Sequence, residues 1–566
     1  MNRFAPKLSW PGLAVFFLAT GCAPEPTGRP AGESSGNPET GETGGTGDDE
    51  GEVPDASCEE HEVGAAVVRR MTRLEYANTI GDLLGLDGSV ADGFVPEEEV
   101  FGFDNNSEQA TVGELAAEQY MAAAETLAEQ AVMDLSTLLP CDPEASGEEE
   151  CAQAFVEDFG RRAFRRPLDQ DQVDRLMDVF AWGRAEEGFA FGIQLVVEVV
   201  LQSPSFLYRV ELSPADAGEG DVVALDDWEV ASRLSYLLWN GMPDEELFAV
   251  AEAGELSTPE QVRVQAERML DDPRAESVVQ DFYRQFLDLD RLETTAKDPE
   301  AFPDFTPEIR DLMRAETERF LAHVVFEDDG TWNTMLTADY AFLNGALGNY
   351  YGLVDVTGAE LQRVDLPEGS HRGGLLTHGS LMSVLGKYDL SSPVHRGKFV
   401  REQLLCQSMP PPPDVEFDPP ELDPNSTTPQ KFEEHSENPA CAACHQLMDP
   451  IGFGFEHYDG VGQWRATENG FPVDATGEVL QGGDATGQFY GVDQLSTLLS
   501  DSDDVRDCMV RQWFRYAYGR EKADEDECTE NSLRARFAEH GSVRDLLLDL
   551  TQTDAFLYAR RDTEGD

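Results

Sequence analysis

The chain has 566 residues, 111 of them acidic against 41 basic, and a formal net charge of −70. That length exceeds what one hydrophobic core holds, so several domains are expected. So large an excess of negative charge argues against a nucleic-acid partner and against direct adsorption to anionic lipid; most of the acids read as a solvated face.

The N-terminus carries Arg3 and Lys7, then the apolar run Leu13–Ala19, then Thr20-Gly21-Cys22. The run is too short to span a bilayer and reads as a secretory signal. Small residues ahead of a cysteine mark a bacterial lipoprotein cleavage site, with Ala19 where leucine is more usual. Residues 1–22 are therefore read as a signal peptide ending in a lipidated Cys22, whose several acyl chains give a stable anchor. A plain signal cut elsewhere is the alternative. No other segment is long and apolar enough for a membrane span, so attachment rests on lipid alone, facing the periplasm or the cell surface. Residues 23–57, rich in Gly, Pro, Ser, Thr and Glu, read as a disordered acidic tether.

Helical patterns follow. Thr72-Arg73-Leu74-Glu75 is a capping box, with Leu74, Ala77, Ile80 and Leu84 on one face. Further helices are expected over 112–133, 152–165, 170–183, 188–202, 227–240, 259–270, 274–289 and 306–326. The block Arg161-Arg162-Ala-Phe-Arg165-Arg166 reads either as an anion site or as partners for carboxylates within the fold. The segment 365–390 begins with glycines and turns helical, and a Pro-rich break runs from Pro410 to Pro424. The last helices are expected at 505–518, 529–540 and 542–557. Strand signals are few. The fold class is therefore mainly α: a multi-domain helical body followed by a C-terminal cytochrome c-like helical domain. The divisions fall at 58–140, 141–215 with the Arg-rich segment, 216–365, a connecting segment 366–425, and 426–566.

Cys441-Ala-Ala-Cys444-His445 is the attachment signature of a c-type haem. Both sulfurs lie on one short helical turn and can bond the two vinyl groups of one porphyrin, with His445 beneath the iron as proximal ligand. One covalent haem c is the cofactor expected. A redox dithiol, a structural disulfide or a zinc half-site would use the same cysteines, although no second Cys pair follows at zinc spacing. Met448 is one turn beyond His445 and cannot reach the opposite face of a porphyrin. Met509 is the distal-ligand candidate; His378, Met382, His395, His435 and His457 are alternatives. An open sixth position would allow peroxide or oxygen chemistry, with His457 or Glu456 as acid–base groups.

Several phrases together resemble a family of exported multi-domain bacterial proteins of planctomycetes and myxobacteria. These are built of consecutive domains of unknown function with a planctomycete-type cytochrome c segment. The phrases include Arg70-Met-Thr-Arg-Leu-Glu-Tyr76, Phe159-Gly-Arg-Arg-Ala-Phe-Arg-Arg-Pro-Leu168, Leu201-Gln-Ser-Pro-Ser-Phe-Leu-Tyr-Arg209, Leu336-Thr-Ala-Asp-Tyr-Ala-Phe-Leu-Asn344, Ser392-Pro-Val-His-Arg-Gly397 and Tyr516-Ala-Tyr-Gly-Arg520. The resemblance covers about residues 65–560. It implies a domain order, export and a haem, and no known reaction.

Cysteine use suits an oxidising compartment. Besides Cys22, Cys441 and Cys444, six remain, consistent with three disulfides. Cys141 with Cys151 and Cys508 with Cys528 are the nearest pairs, leaving Cys58 with Cys406, although six cysteines allow about fifteen pairings. No phosphate-binding glycine loop, G-x-S-x-G or H-E-x-x-H is present. The acids Asp524–Glu527 lack the spacing of a calcium loop. The reading is a membrane-anchored lipoprotein acting in electron transfer with a redox partner protein. A haem-dependent peroxidase or oxidase, and a non-haem surface protein with a CxxC disulfide, are the alternatives.

Overall fold

Helix starts follow local chemistry. In the helix Arg73–Leu84 the Thr72 hydroxyl accepts from Glu75 N, and the Glu75 carboxylate accepts from Thr72 N at 2.9 Å. Two donors that the helix leaves orphaned are thus satisfied reciprocally. The buried face is centred on Tyr76, Ile80 and Leu83, with Leu74, Ala77 and Leu84 at its edge. The same device opens Gln170–Glu187 at Asp169 and Asp227–Trp239 at Asp226.

The computed structural model describes residues 63–561 apart from 66, 108–110, 212–217, 219, 368, 410–425 and 431–438. The signal peptide, Cys22, the tether, Cys58 and His435 lie outside the described residues. The described residues fall within a single unit, Ala56–Asp566. Within it the chain is mainly α, joined by short antiparallel strand pairs. No helix among the described residues is long and apolar enough to cross a membrane.

Two large cores organise the helices. In the first, Glu114–Ala131, Glu148–Phe164, Gln170–Glu187 and Phe189–Leu201 pack with the opening helix. Tyr76 sits at its centre, with Phe94, Tyr120 and Phe206 at 5.0, 6.0 and 5.7 Å between ring centroids. The second core draws on residues from Val63 to Ala559. It joins the helices Asp227–Trp239, Pro259–Leu270, Ala275–Phe286 and Pro307–Glu327 to the C-terminal Asp503–Tyr518 and Val543–Leu550. At its heart Phe282 stacks on Trp513, centroids 3.7 Å apart and planes 8° from parallel. Tyr516 donates to Asp281 at 2.7 Å beside that stack. The first and last described segments are also tied in. Val222–Ala224 pairs with Tyr558–Arg560, and Gly64 N donates to Asp526 Oδ1 at 3.0 Å.

The structure refines several elements of the sequence reading. The last helix stops at Leu550 and a short one resumes at Asp554, because the Thr551 and Thr553 hydroxyls turn back onto the carbonyls of Leu548 and Leu550. Segment 365–390 turns helical after its glycines, as read, with the turn Leu375–Thr377 and the helix Gly379–Val384 among its described residues. Within the arginine block, Arg161 pairs with Asp158 and Glu245, and Arg162 with Glu245. Buried Arg165 donates instead to the carbonyls of Ser205, Phe206 and Tyr208.

Cys141 and Cys151 form the expected disulfide. The other pairings are corrected: Cys508 is bonded to Cys406, not to Cys528, and Cys406 is therefore not bonded to Cys58. The helix Asp503–Tyr518 turns Cys508 toward the segment 400–406, its sulfur 3.3 Å from the Gln403 carbonyl. Cys528 is disulfide-bonded as well. The Cys406–Cys508 bridge closes 102 residues of chain, which in chain-entropy terms is about 4–5 kcal/mol of stabilisation.

Trp513→Ala removes the ring that joins the C-terminal helix to Ala275–Phe286. The expected cost is about 3–5 kcal/mol in urea unfolding, the range for truncating a buried aromatic. A loss below about 1 kcal/mol would show that the stack does not hold the second core together.

Candidate functional site

Cys441, Cys444 and His445 lie on one helix, Pro439–Phe453. Three- and four-residue spacings bring positions 441, 444 and 445 to one side of it. The side chain of Cys441 lies outside the described residues, and Cys444 carries a free, half-buried thiol. The helix packs on Pro393–Phe399 and on the strand Thr476–Val479. Glycines permit the approach. A Cβ at Gly397 would run into the Met448 carbonyl, and one at Gly452 into Pro393. Arg401, 1 % exposed, donates to the Leu447 carbonyl at 3.1 Å.

His445 is oriented from its own helix. Its Nδ1 lies 3.1 and 3.0 Å from the two carboxylate oxygens of Asp449, one turn on. Asp449 is 2 % exposed and His445 half-buried, whereas neighbouring Ala443 and Gln446 are exposed. The sequence reading passed over Asp449, although its four-residue spacing from the histidine is a legible signal.

Beyond the motif, Met448, Ile451, Phe455 and Tyr458 are buried. Glu456 is locked in an ion-paired cluster: its Oε2 lies 2.7 Å from Arg465 and accepts from Ser391 at 2.8 Å. Burial raises the Glu456 carboxyl, while Arg396 and Arg465 pull it down. Arg396 is fully buried and donates to the carbonyls of Phe455 and Tyr458 at 3.1 and 2.8 Å; burial pushes it down to about 10. His457 is engaged at both nitrogens, with the Arg465 carbonyl at 2.9 Å and the Tyr490 hydroxyl at 3.2 Å. Its ring faces Trp464, whose other face carries His371 at 4.1 Å.

The remaining candidates scatter. Met509 is buried in the second core, which also contains Met382, Ile451 and Phe455. His378 is buried with Nδ1 2.9 Å from the Thr317 hydroxyl, and burial pushes it down to about 3. His395 is half-buried and lowered by burial. Among the described residues no group of three or more His, Cys, Asp or Glu is placed to hold a metal ion, Asp524–Asp526 included. Asp526 instead pairs with Arg520.

The fold and motif helix define a mainly α, multi-domain protein with a Cys–X–X–Cys–His segment built into its body. Five family profiles match it in succession, each described as a protein of unknown function. They are DUF1587 over residues 69–133, DUF1595 over 151–211, DUF1592 over 225–353, DUF1588 over 372–468 and DUF1585 over 486–556. The chain belongs to the family of multi-domain proteins assembled from these consecutive domains. The DUF1588 match, labelled PSCyt3, contains the motif. No curated protein and no solved structure matches the chain.

One buried acid within the DUF1592 match has a measurable consequence. Glu316, 1 % exposed, accepts from the Tyr351 hydroxyl at 2.7 Å. Burial pushes its carboxyl from 4.5 up to about 7, against the pull of Arg372 and the Tyr351 hydrogen bond. The folded state thus holds a proton that the unfolded chain releases earlier. The stability this contributes is complete below pH 4.5 and is lost as pH rises to about 7. Unfolding midpoints of the parent should fall across that window, by up to about 1.4 kcal/mol per pH unit. Glu316→Gln, which stays neutral, should flatten that decline; an unchanged slope would exclude Glu316 as its source.

Proposed function

We propose that the chain is an exported lipoprotein, anchored through Cys22, that carries one covalent c-type haem and exchanges electrons with a docked partner protein. Cys441 and Cys444 would hold the thioethers and His445 would be the proximal ligand. The observation that carries the reading is the His445–Asp449 pair on the helix that bears both cysteines. A metal-ligating imidazole is characteristically fixed through its other nitrogen by a carboxylate, which sets the tautomer and raises its basicity. Here Asp449 keeps the proton on Nδ1 and makes Nε2 the ligating nitrogen. The donor set therefore fits the group.

When bound, haem supplies one-electron chemistry. This chain's residues do the rest. Asp449 would increase the electron donation of His445 to a bound iron and so favour its oxidised state. Buried Met448, Ile451 and Phe455 exclude water behind the helix. Exposed Ala443 and Gln446 place the attachment turn at the protein surface, within reach of a docked partner. That exposure favours electron transfer over peroxide or oxygen chemistry in a closed pocket. The PSCyt3 match across the motif supports the same reading.

Intact-mass analysis of protein made with haem-maturation machinery tests both covalent assignments. A porphyrin increment on the peptide holding Cys441 to His445, and acylation of an N-terminal Cys22, are expected. Loss of the first leaves a non-haem exported protein, whose Cys444 thiol is free; loss of the second leaves an ordinary exported chain. A spectrum unchanged by peroxide and carbon monoxide is expected for electron transfer, and reaction with either would favour the enzyme. Asp449→Asn should raise the reduction potential by about 60–120 mV, the one-electron equivalent of a ten- to hundredfold change in ligand affinity.

A further inference from the structure

Away from the motif helix, Arg69, Arg209, Arg233 and Arg520 gather where the first described segment meets the C-terminal helices. Arg69 and Arg209 face each other across the antiparallel pair Arg69–Arg70 and Tyr208–Arg209. Like charges directly opposite on a ladder repel, so this register calls for negative charge close by. Three of the four arginines have it. Arg209 pairs with Glu75 at 3.0 Å, Arg233 donates to both oxygens of Glu211 at 2.6 Å, and Arg520 donates to Asp526 at 2.8 Å. Glu75, Glu211 and Asp526 are thus each taken by one guanidinium.

Arg69 is the fourth. It donates to the Ala517 carbonyl at 2.7 Å and forms no ion pair among the described residues. Its Nε is sealed from solvent and has no hydrogen-bond partner among the described residues. Burial and the facing Arg209 push this guanidinium down to about 9, against the pull of Glu75 and Glu211. A charge in so closed a place is costly unless an opposite charge answers it.

The space beside it selects what can answer. Arg69, Arg233 and Arg520 line a cavity of about 30 Å³. Glu211, already held by Arg233, is the only carboxylate in that lining among the described residues. A volume of this size admits about one or two water-sized groups, so it excludes a sugar, a nucleotide or a peptide. A cation would meet three guanidiniums, and water brings no charge. A single monatomic anion matches the volume and the one positive charge left over, and guanidinium N–H groups donate to it.

We propose that this cavity binds one halide ion, held by the Arg69 guanidinium with Arg233 and Arg520 around it. The ion is the counter-charge that lets Arg69 and Arg209 share a register, and it fastens the strand Arg69–Arg70 to the end of the helix Asp503–Tyr518. The inference does not depend on haem.

Chlorine nuclear magnetic resonance of the whole chain in sodium chloride tests it. Exchange with a bound ion broadens the bulk chloride line, and that broadening should saturate as a single site and be reversed by bromide. Arg69→Gln should weaken chloride about tenfold or more. Arg70→Gln, whose guanidinium reaches the Thr111 carbonyl instead, should leave chloride binding unchanged. Stability gives a second readout, because an ion that binds only the folded chain raises its unfolding midpoint. At constant ionic strength, replacing chloride by gluconate, which is too large for the cavity, should lower the midpoint of Arg70→Gln more than that of Arg69→Gln. Should Arg69→Gln not fold, crystals of the parent soaked in bromide decide the matter by an anomalous peak against the Arg69 guanidinium. Absence of saturable broadening, broadening that Arg69→Gln leaves unchanged, or bromide-soaked crystals with no peak at Arg69 would each overturn the proposal.

Discussion

The stack of Phe282 on Trp513 is the contact on which the architecture depends. The two rings come from helices more than two hundred residues apart in the chain. With Tyr516 bonded to Asp281 beside them, they convert a helical body and a C-terminal segment into a single core. Burial of broad aromatic faces is the dominant favourable term in such a union. The strand pair that joins Val222–Ala224 to Tyr558–Arg560, and the bond from Gly64 to Asp526, then fasten the first and last described segments onto that core. The motif helix inherits its position from it, since Ile451 and Phe455 belong to the same apolar cluster.

A second theme is the use of arginine in so acidic a chain. Arg165, Arg372, Arg396 and Arg401 are all buried and donate chiefly to backbone carbonyls. Each guanidinium offers five donors in a planar fork, so it can gather several loop carbonyls that no secondary structure satisfies. Arg396 does this for the Phe455 and Tyr458 carbonyls just after the motif helix, and Arg401 donates to the Leu447 carbonyl within it. That gives the phrase Ser392-Pro-Val-His-Arg-Gly397 a physical meaning: its arginine collects the turn after the motif, and its glycine lets the helix approach.

What could be read from the sequence divides along the same line. The capping box at Thr72 was legible, because the bonds join residues three apart. Cys141 with Cys151 was legible for the same reason. The partners of Cys508 and Trp513 were not, since nothing local distinguishes one distant neighbour from another. The strand pairs, two to four residues long, are too short for alternation to show. The family phrases fixed domain order without saying what each residue touches. The four-residue step from His445 to Asp449 shows that some site chemistry is local enough to be read directly.

The Cys406–Cys508 bridge encloses residues 441–445 within one covalent ring. A protease that cuts anywhere inside the ring liberates no fragment, because both new ends stay joined at the sulfurs. Whatever the motif carries therefore remains tethered to the body after such a nick, and its escape is governed by the surrounding thiol balance rather than by peptide cleavage.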